Sequence, residues 1–265
     1  AVGSGGTILK TARSEKFMTL KGLKTANKQL MERGIEGLIV IGGDGTFRGA
    51  SEFSNLFPRP IIGIPATIDN DLYGTDFTIG YDTAINTVVE AVDKIRDTAD
   101  AHNRLFIIEV MGRDAGFIAL RSGIAVGAEA VLIPETKSSL NKLIERLKKG
   151  WHRQKKSSIV IVAEGDDAGG AFEVAKKVKE KFGNYDTRVS ILGHIQRGGA
   201  PSCMDRVLAS RLGVEAVNVL CSGKAGVMVG LVNKDQFLYT PFDKASKHHQ
   251  EINKDLLQLV EVLSI

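Results

Sequence analysis

Short β-branched runs alternate along this chain with stretches of helical periodicity, and glycine-bearing loops follow directly on the strands. Alternation of this kind is the signature of an α/β protein with mostly parallel sheets and helices on both faces. Leu23, Ala26, Leu30 and Ile35 predict a helix over 18–33, with Gly34 placed to end it. Residues 37–41 (GLIVI) read as a strand buried on both faces. A helix over 46–56 and a strand over 60–64 follow. The clearest helix is 82–100, where Ile85, Val88, Val92, Ile95 and Ala99 recur at helical spacing. Further on, the pattern predicts strands at 105–110, 130–133, 158–163, 189–192 and 226–232. Helices are predicted near 115–126, from Ser138-Ser139-Leu140 to 152, at 171–182, at 203–222 and at 251–264.

Composition narrows the class. Length predicts two domains. Hydrophobic residues are 43% and charged residues 25%, an ordinary globular mix, and 29 glycines point to tight turns or close backbone approach to a ligand. The net charge of +4 is small and its basic residues are dispersed, so a nucleic-acid-binding surface is not indicated. No apolar run nears the length of a membrane span, and the N-terminal residues lack a signal-peptide pattern. Cys203 and Cys221 lack metal-type spacing and fit a reducing, cytoplasmic setting. His102, His152, His248 and His249 read as structural.

Four loops carry candidate chemistry. Gly42-Gly43-Asp44-Gly45-Thr46 follows the strand 37–41 and opens a helix. Its glycines let the backbone approach phosphate, and an aspartate there implies an intervening Mg²⁺. A plain turn with Asp44 capping the helix is the alternative. It is not a P-loop, since no Gly-Lys-Ser/Thr follows. Pro65-Ala66-Thr67-Ile68-Asp69-Asn70-Asp71 follows the next strand, and its two carboxylates could divide into a base and a metal-side group; an Asx-turn is the alternative. Met111-Gly112-Arg113-Asp114-Ala115-Gly116 places an arginine where it could neutralise a transferring phosphoryl group, or simply a surface arginine at a turn. In Leu192–Gly199, His194 and Arg197 would share one face of a helical turn and could hold a phosphate monoester.

The strings IGGDGT (41–46), PATIDND (65–71), EVMGR (109–113) and GHIQRGG (193–199) resemble the 6-phosphofructokinase family in order and spacing. GGDGT alone is weak, because NAD kinases and lipid kinases carry similar loops; the four strings together are specific. The resemblance implies two Rossmann-like α/β lobes with the active site in the cleft between them. One lobe, which binds nucleotide, would take 1–80 and 196–246; the sugar-phosphate lobe would take 81–195 and 247–265. The implied reaction is a step of glycolysis, transfer of the γ-phosphoryl of ATP to the 1-hydroxyl of fructose 6-phosphate by a cytoplasmic, allosteric homotetramer.

Roles carried over by the resemblance are as follows. Asp69 is the base, Arg113 and Thr67 stabilise the phosphoryl group, and Asp44 serves the Mg²⁺ of MgATP with Asp71 beside it. Gly43, Gly45, Thr46, Gly49 and Arg13 border the nucleotide. Met111, Gly112 and Glu164 line the sugar, and His194 and Arg197 grip its 6-phosphate. Arg104 and Arg188 reach that phosphate from a neighbouring subunit. Arg96, Glu129, Arg153 and Lys155 match an effector site for a nucleotide diphosphate or phosphoenolpyruvate; a solvated helix end is the alternative for 153–156. Pyrophosphate-dependent relatives carry Asp where this chain has Gly45 and Lys where it has Ala66, so the small residues here imply ATP. Family members also begin with a strand and a glycine-rich loop ahead of the match at Gly5, so a partial chain is expected, and a non-catalytic binding subunit is the reading from another class.

Overall fold

The computed structural model describes residues 3, 5–9, 11–98, 104–137, 139–153, 157–247 and 251–263. In chain order, α1 (Leu20–Glu32), β1 (Leu38–Gly42), α2 (Asp44–Leu56) and β2 (Ile61–Pro65) come first. Next are α3 (Tyr81–Asp97), β3 (Arg104–Val110), α4 (Phe117–Ala125), β4 (Ala130–Leu132), α5 (Leu140–His152), β5 (Ser157–Ala163) and α6 (Gly170–Lys181). The remainder is β6 (Asp186–Ile191), a 3-10 turn (Gly193–Arg197), α7 (Cys203–Cys221), β7 (Val227–Val232), β8 (Gln236–Pro241), α8 (Phe242–Lys247) and α9 (Lys254–Leu263). Among the described residues, no helix is long and apolar enough to cross a membrane.

The chain forms two compact units, Ala1–Gly80 with Ala200–Gln250 and Tyr81–Gly199 with Glu251–Ile265. The boundaries expected at 195/196 and 246/247 therefore lie four residues early. The 193–197 turn belongs to the second unit, where α3 packs on it and the buried Gln196 side chain accepts from Met111 N–H.

The first unit holds a four-stranded sheet in the order β1-β2-β7-β8. β1, β2 and β7 run parallel, and β8 is antiparallel to β7. Side chains alternate across it with the two-residue period of a strand. Ile61 and Met228 face Leu23, Phe47, Phe53 and Phe242 from α1, α2 and α8. Ile62, Ile64 and Val229 face Leu208, Leu212 and Ala216 from α7. Gly63 is required here: a Cβ would sit 2.6 Å from the Phe47 ring and 2.7 Å from that of Phe242.

Two expectations are corrected. The strand buried on both faces is β2, every residue of which is buried; β1 is only half-buried, with Ile41 54% exposed. The reason is position, since among the described residues β1 pairs with β2 alone and stands at the sheet edge. The hairpin strand β8 was not foreseen. Its turn uses Asn233 and Lys234, both at positive φ, and asparagine tolerates that conformation.

The second unit holds a parallel sheet ordered β4-β5-β3-β6. Leu105, Ile107, Val160 and Val162 pack against Leu143 and Leu147 of α5 and Val174 and Val178 of α6. α4 covers the other face, and α3 and α9 pack on α4. Buried residues of α3 are Tyr81, Ala84, Val88 and Val92, so Val88 and Val92 are buried as expected, Ile85 and Ile95 are half-buried, and the stripe extends instead through Ala84 and Tyr81; Ala99 lies outside the described residues. Caps form as serine and threonine chemistry predicts. Thr19 Oγ1 accepts from Gly22 N–H at 3.1 Å, Ser139 Oγ from Lys142 N–H at 3.4 Å, and Ser202 Oγ from Asp205 N–H at 3.2 Å. Ser138, expected to open α5, lies outside the described residues. Gly34, at φ +64°, ends α1, and the following Ile35 N–H donates back to Leu30 at 2.9 Å.

Candidate active site

In the first unit, the two acidic loops leave neighbouring parallel strands at the same end, where Gly42 pairs with Pro65. They are in contact. Ala66 N–H donates to the Gly42 carbonyl at 2.9 Å, and a Cβ on Gly43 would lie 3.4 Å from Thr67. Ligands bind beyond the carboxyl ends of strands in open α/β sheets, and this edge is such a place.

Asp44 is the first residue of α2, and Gly43 is its cap. Its carboxylate accepts from Gly45 N–H and pairs with Arg48 one turn on. Negative charge is favoured at this helix end. Gly42 is sterically required, because a Cβ there would sit 2.1 Å from Thr46 Oγ1. Gly45 is not: its φ is not positive and a Cβ would meet nothing within 4 Å. The fold therefore does not demand glycine at 45. Gly49 stands beside Phe17 and Arg13 is exposed ahead of α1.

The 65–71 loop is fastened from inside. Asn70 is 3% exposed at φ +52°. Its Oδ1 accepts from Thr78 N–H at 2.8 Å and its Nδ2 donates to the Asp76 carbonyl at 3.1 Å. Thr78 Oγ1 donates to the Thr67 carbonyl at 2.6 Å. Thr67 Oγ1 accepts from Asp69 N–H at 3.2 Å, and Asp69 and Asp71, either side of Asn70, are half-buried. Asn70 and Thr78 were not singled out from the sequence. An asparagine between two aspartates reads as a turn former, and its partners six and eight residues away carry no local signal.

In the second unit, β5, β3 and β6 are adjacent and parallel, so the loops beginning at 111, 164 and 192 leave one edge. Glu164 N–H donates to Val110 at 2.9 Å and Leu192 N–H to Glu109 at 3.1 Å. Three successive backbone donors in the arginine loop are taken by side chains from the other two loops. Met111 N–H goes to Gln196 Oε1 at 3.2 Å; Gly112 and Arg113 N–H go to Glu164 Oε1 at 3.3 and 2.7 Å. Gly112 (φ +146°) and Arg113 (φ +56°) hold conformations that need such ties, and Arg113 is exposed. Glu164 was expected to face the sugar; what the structure shows is its carboxylate holding the arginine loop.

The 193–197 segment is a 3-10 turn, in which residues three apart share a face. His194 and Arg197 are both exposed, as that geometry requires, and Gln196 is turned inward. Two more carboxylates were missed. Glu109 accepts from Ala171 N–H at 2.8 Å at the start of α6, and Glu135 accepts from Gly116 N–H at 2.8 Å before α4.

Other expected residues lie elsewhere in the unit. Arg104 begins β3 and Arg188 lies within β6, toward the opposite end of the strands from Met111 and roughly 20 Å away for Arg104 at strand rise. Both approach one carboxylate, that of Asp186, at 3.7 Å from Arg104 and 3.0 Å from Arg188. Arg96 donates to the Val126 carbonyl and lies 4.0 Å from Asp93. Glu129 is buried ahead of β4, Arg153 is exposed at the end of α5, and Lys155 lies outside the described residues. Among the described residues, no three histidine, cysteine, aspartate or glutamate side chains group to hold a metal by themselves.

Two parallel-rich sheets, with loops bearing glycine, carboxylate and arginine at their strand ends, define an α/β protein. Residues 1–220 match the family model described as phosphofructokinase, and the chain belongs to that family. It is 52% identical over 261 residues to the ATP-dependent 6-phosphofructokinase 2 of Bacteroides thetaiotaomicron, covering 98% of this chain and 80% of that protein. It is also 52% identical over 261 residues to the ATP-dependent 6-phosphofructokinase 1 of Thermus thermophilus, with the same coverage of 98% and 80%. Among solved structures, that of phosphofructokinase from Saccharomyces cerevisiae matches with a TM-score of 0.87 at 32% identity, over 99% of this chain and 38% of that one. A pyrophosphate-dependent phosphofructokinase from Marinobacter aquaeolei shares the fold, with a TM-score of 0.79 at 22% identity over 97% of this chain and 74% of that one.

Proposed function

We propose that this chain transfers the γ-phosphoryl group of MgATP to the 1-hydroxyl of fructose 6-phosphate, giving fructose 1,6-bisphosphate and ADP. The observation that carries this reading is the half-identity, over nearly the whole chain, to proteins named ATP-dependent 6-phosphofructokinase. Asp69 accepts the hydroxyl proton as the sugar oxygen bonds to the γ-phosphorus and the bond to the ADP oxygen breaks. Arg113 and Thr67 offset the charge of the phosphoryl group in flight. His194 and Arg197 grip the 6-phosphate, Met111 and Gly112 border the sugar, and Glu164 accepts from its hydroxyls through Oε2, since Oε1 is engaged.

Magnesium arrives with the nucleotide. Carboxylate oxygens suit it, and Asp44 and Asp71 would face it, Asp44 exchanging part of its Arg48 pairing for the cation. Gly43, Gly45, Thr46, Gly49 and Arg13 border the nucleotide phosphates. The open space above Gly45 supports ATP as donor over pyrophosphate. Arg104 and Arg188 serve the sugar phosphate of a neighbouring copy, which makes a homotetramer the working form. Arg96, Glu129, Arg153 and Lys155 hold an anionic effector. A glycolytic enzyme of this kind works in the cytoplasm.

The test is formation of fructose 1,6-bisphosphate with MgATP and magnesium pyrophosphate in parallel. Product with ATP alone is expected. Product with pyrophosphate alone overturns the donor, and no product with either overturns the catalytic reading.

A further inference from the structure

Gln196 is 1% exposed between two exposed side chains that face the other way. Burying a primary amide is costly unless its polar atoms are paired, and both ends of this one are. Oε1 accepts from Met111 N–H at 3.2 Å, across 85 residues of sequence, and Nε2 donates to the Gly193 carbonyl at 3.1 Å. Gly193 opens the turn that carries His194 and Arg197; Met111 opens the loop that carries Arg113. A five-residue 3-10 turn is weak by itself, so its placement depends on such ties.

We propose that Gln196 is a positioning residue that fixes the phosphate-gripping turn to the arginine loop, so that the sugar's 6-phosphate and Arg113 keep one geometry. This rests on the phosphofructokinase reading and adds a coupling between its two anion-binding groups. Gly112 and Arg113 stay tied to Glu164 without it, so the loop persists when Gln196 is replaced, but its register against the turn is lost.

The experiment compares Gln196→Met, of similar volume without the amide, with Gln196→Glu, which keeps the acceptor for Met111 and loses the donor to Gly193. Gln196→Met is expected to raise KM for fructose 6-phosphate and lower kcat about tenfold each, with KM for MgATP within about twofold. Gln196→Glu is expected to recover kcat to within about threefold of the parent while KM for the sugar phosphate stays raised. Amide exchange at Met111, read by NMR, is expected to be about tenfold faster in Gln196→Met and near parental in Gln196→Glu. Parental kinetics in Gln196→Met overturn the proposal. So does an equal loss of kcat in both variants, or unchanged exchange at Met111. If Gln196→Met does not fold, the kcat and KM split of Gln196→Glu decides. An inactive parent enzyme would overturn the catalytic reading, while the exchange measurement would still test the tether.

Discussion

Asn70 Oδ1 accepts from Thr78 N–H at 2.8 Å, which binds the middle of the acidic loop to the chain eight residues further on. With the bond from Asn70 Nδ2 to Asp76, this holds a left-handed residue between the two aspartates. Asn70→Ala would leave the Thr78 N–H and the Asp76 carbonyl without these partners and keep the strain. A loss of about 2–3 kcal/mol is expected in denaturant unfolding. Asn70→Gly relieves the strain and loses the same bonds, so it should be the milder in stability, while kcat falls in both. Equal stability of the two variants would show that the positive φ costs nothing here.

Asp69→Asn keeps the size of the side chain and removes the proton acceptor. Turnover should fall by roughly 10²–10⁴. Fructose 6-phosphate binding, followed by calorimetry, should stay within about threefold. Unchanged turnover would remove Asp69 as the base.

Gly45→Asp separates fold from ligand. A Cβ at 45 meets nothing within 4 Å, and the position lies in the first turn of α2, where acidic residues are favoured. Stability should be unchanged or up by about 0.5–1 kcal/mol from the lost glycine. KM for MgATP should rise tenfold or more, by repulsion of its phosphates. A parental KM would refute the clearance argument for ATP.

Glu164→Gln retains a carbonyl oxygen for the Gly112 and Arg113 donors, and Glu164→Ala retains none. The alanine variant should lose at least about tenfold in kcat beyond the glutamine variant, with Arg113 less ordered. Identical kinetics in the two would confine Glu164 to the sugar.

Tyr81 sets a pH dependence. It is 1% exposed and its hydroxyl donates to Phe117 at 3.0 Å. Burial drives its titration well above the usual tyrosine range, with Arg121 opposing and Asp82 adding. The folded state thus holds the proton more tightly than the unfolded chain. The resulting stability is complete below the unfolded pKa of about 10 and is lost progressively as pH rises above it. Tyr81→Phe should cost about 1 kcal/mol at neutral pH, and the gap to the parent should narrow from pH 10 to 11. A gap constant with pH would show that Tyr81 does not contribute.

Apart from β8 and α8, element order was legible in the sequence because helical and strand periodicity are carried by adjacent residues, and so was the start of α5 at Ser139. The loops at 42–46, 65–71, 111–116 and 193–199 were legible as well, since glycine, aspartate and arginine at fixed spacing have local sterics and charge. The facing of His194 and Arg197 follows from three-residue spacing alone. Burial was less legible. A run such as 37–41 looks like a central strand, and its place at the sheet edge depends on partners far away in sequence.

The sequence by itself thus determined most of the strands and helices, though not β8 or α8, and which loops resemble those of the family. Only the tertiary structure decided that β2 rather than β1 is the buried strand. It also decided that Asn70 fastens the acidic loop, and that Glu164 and Gln196 take the amides of the arginine loop. The physical reason is range. Backbone sterics act between neighbours, whereas burial and side-chain hydrogen bonds act between groups that the sheet topology brings together, such as Gln196 and Met111, 85 residues apart.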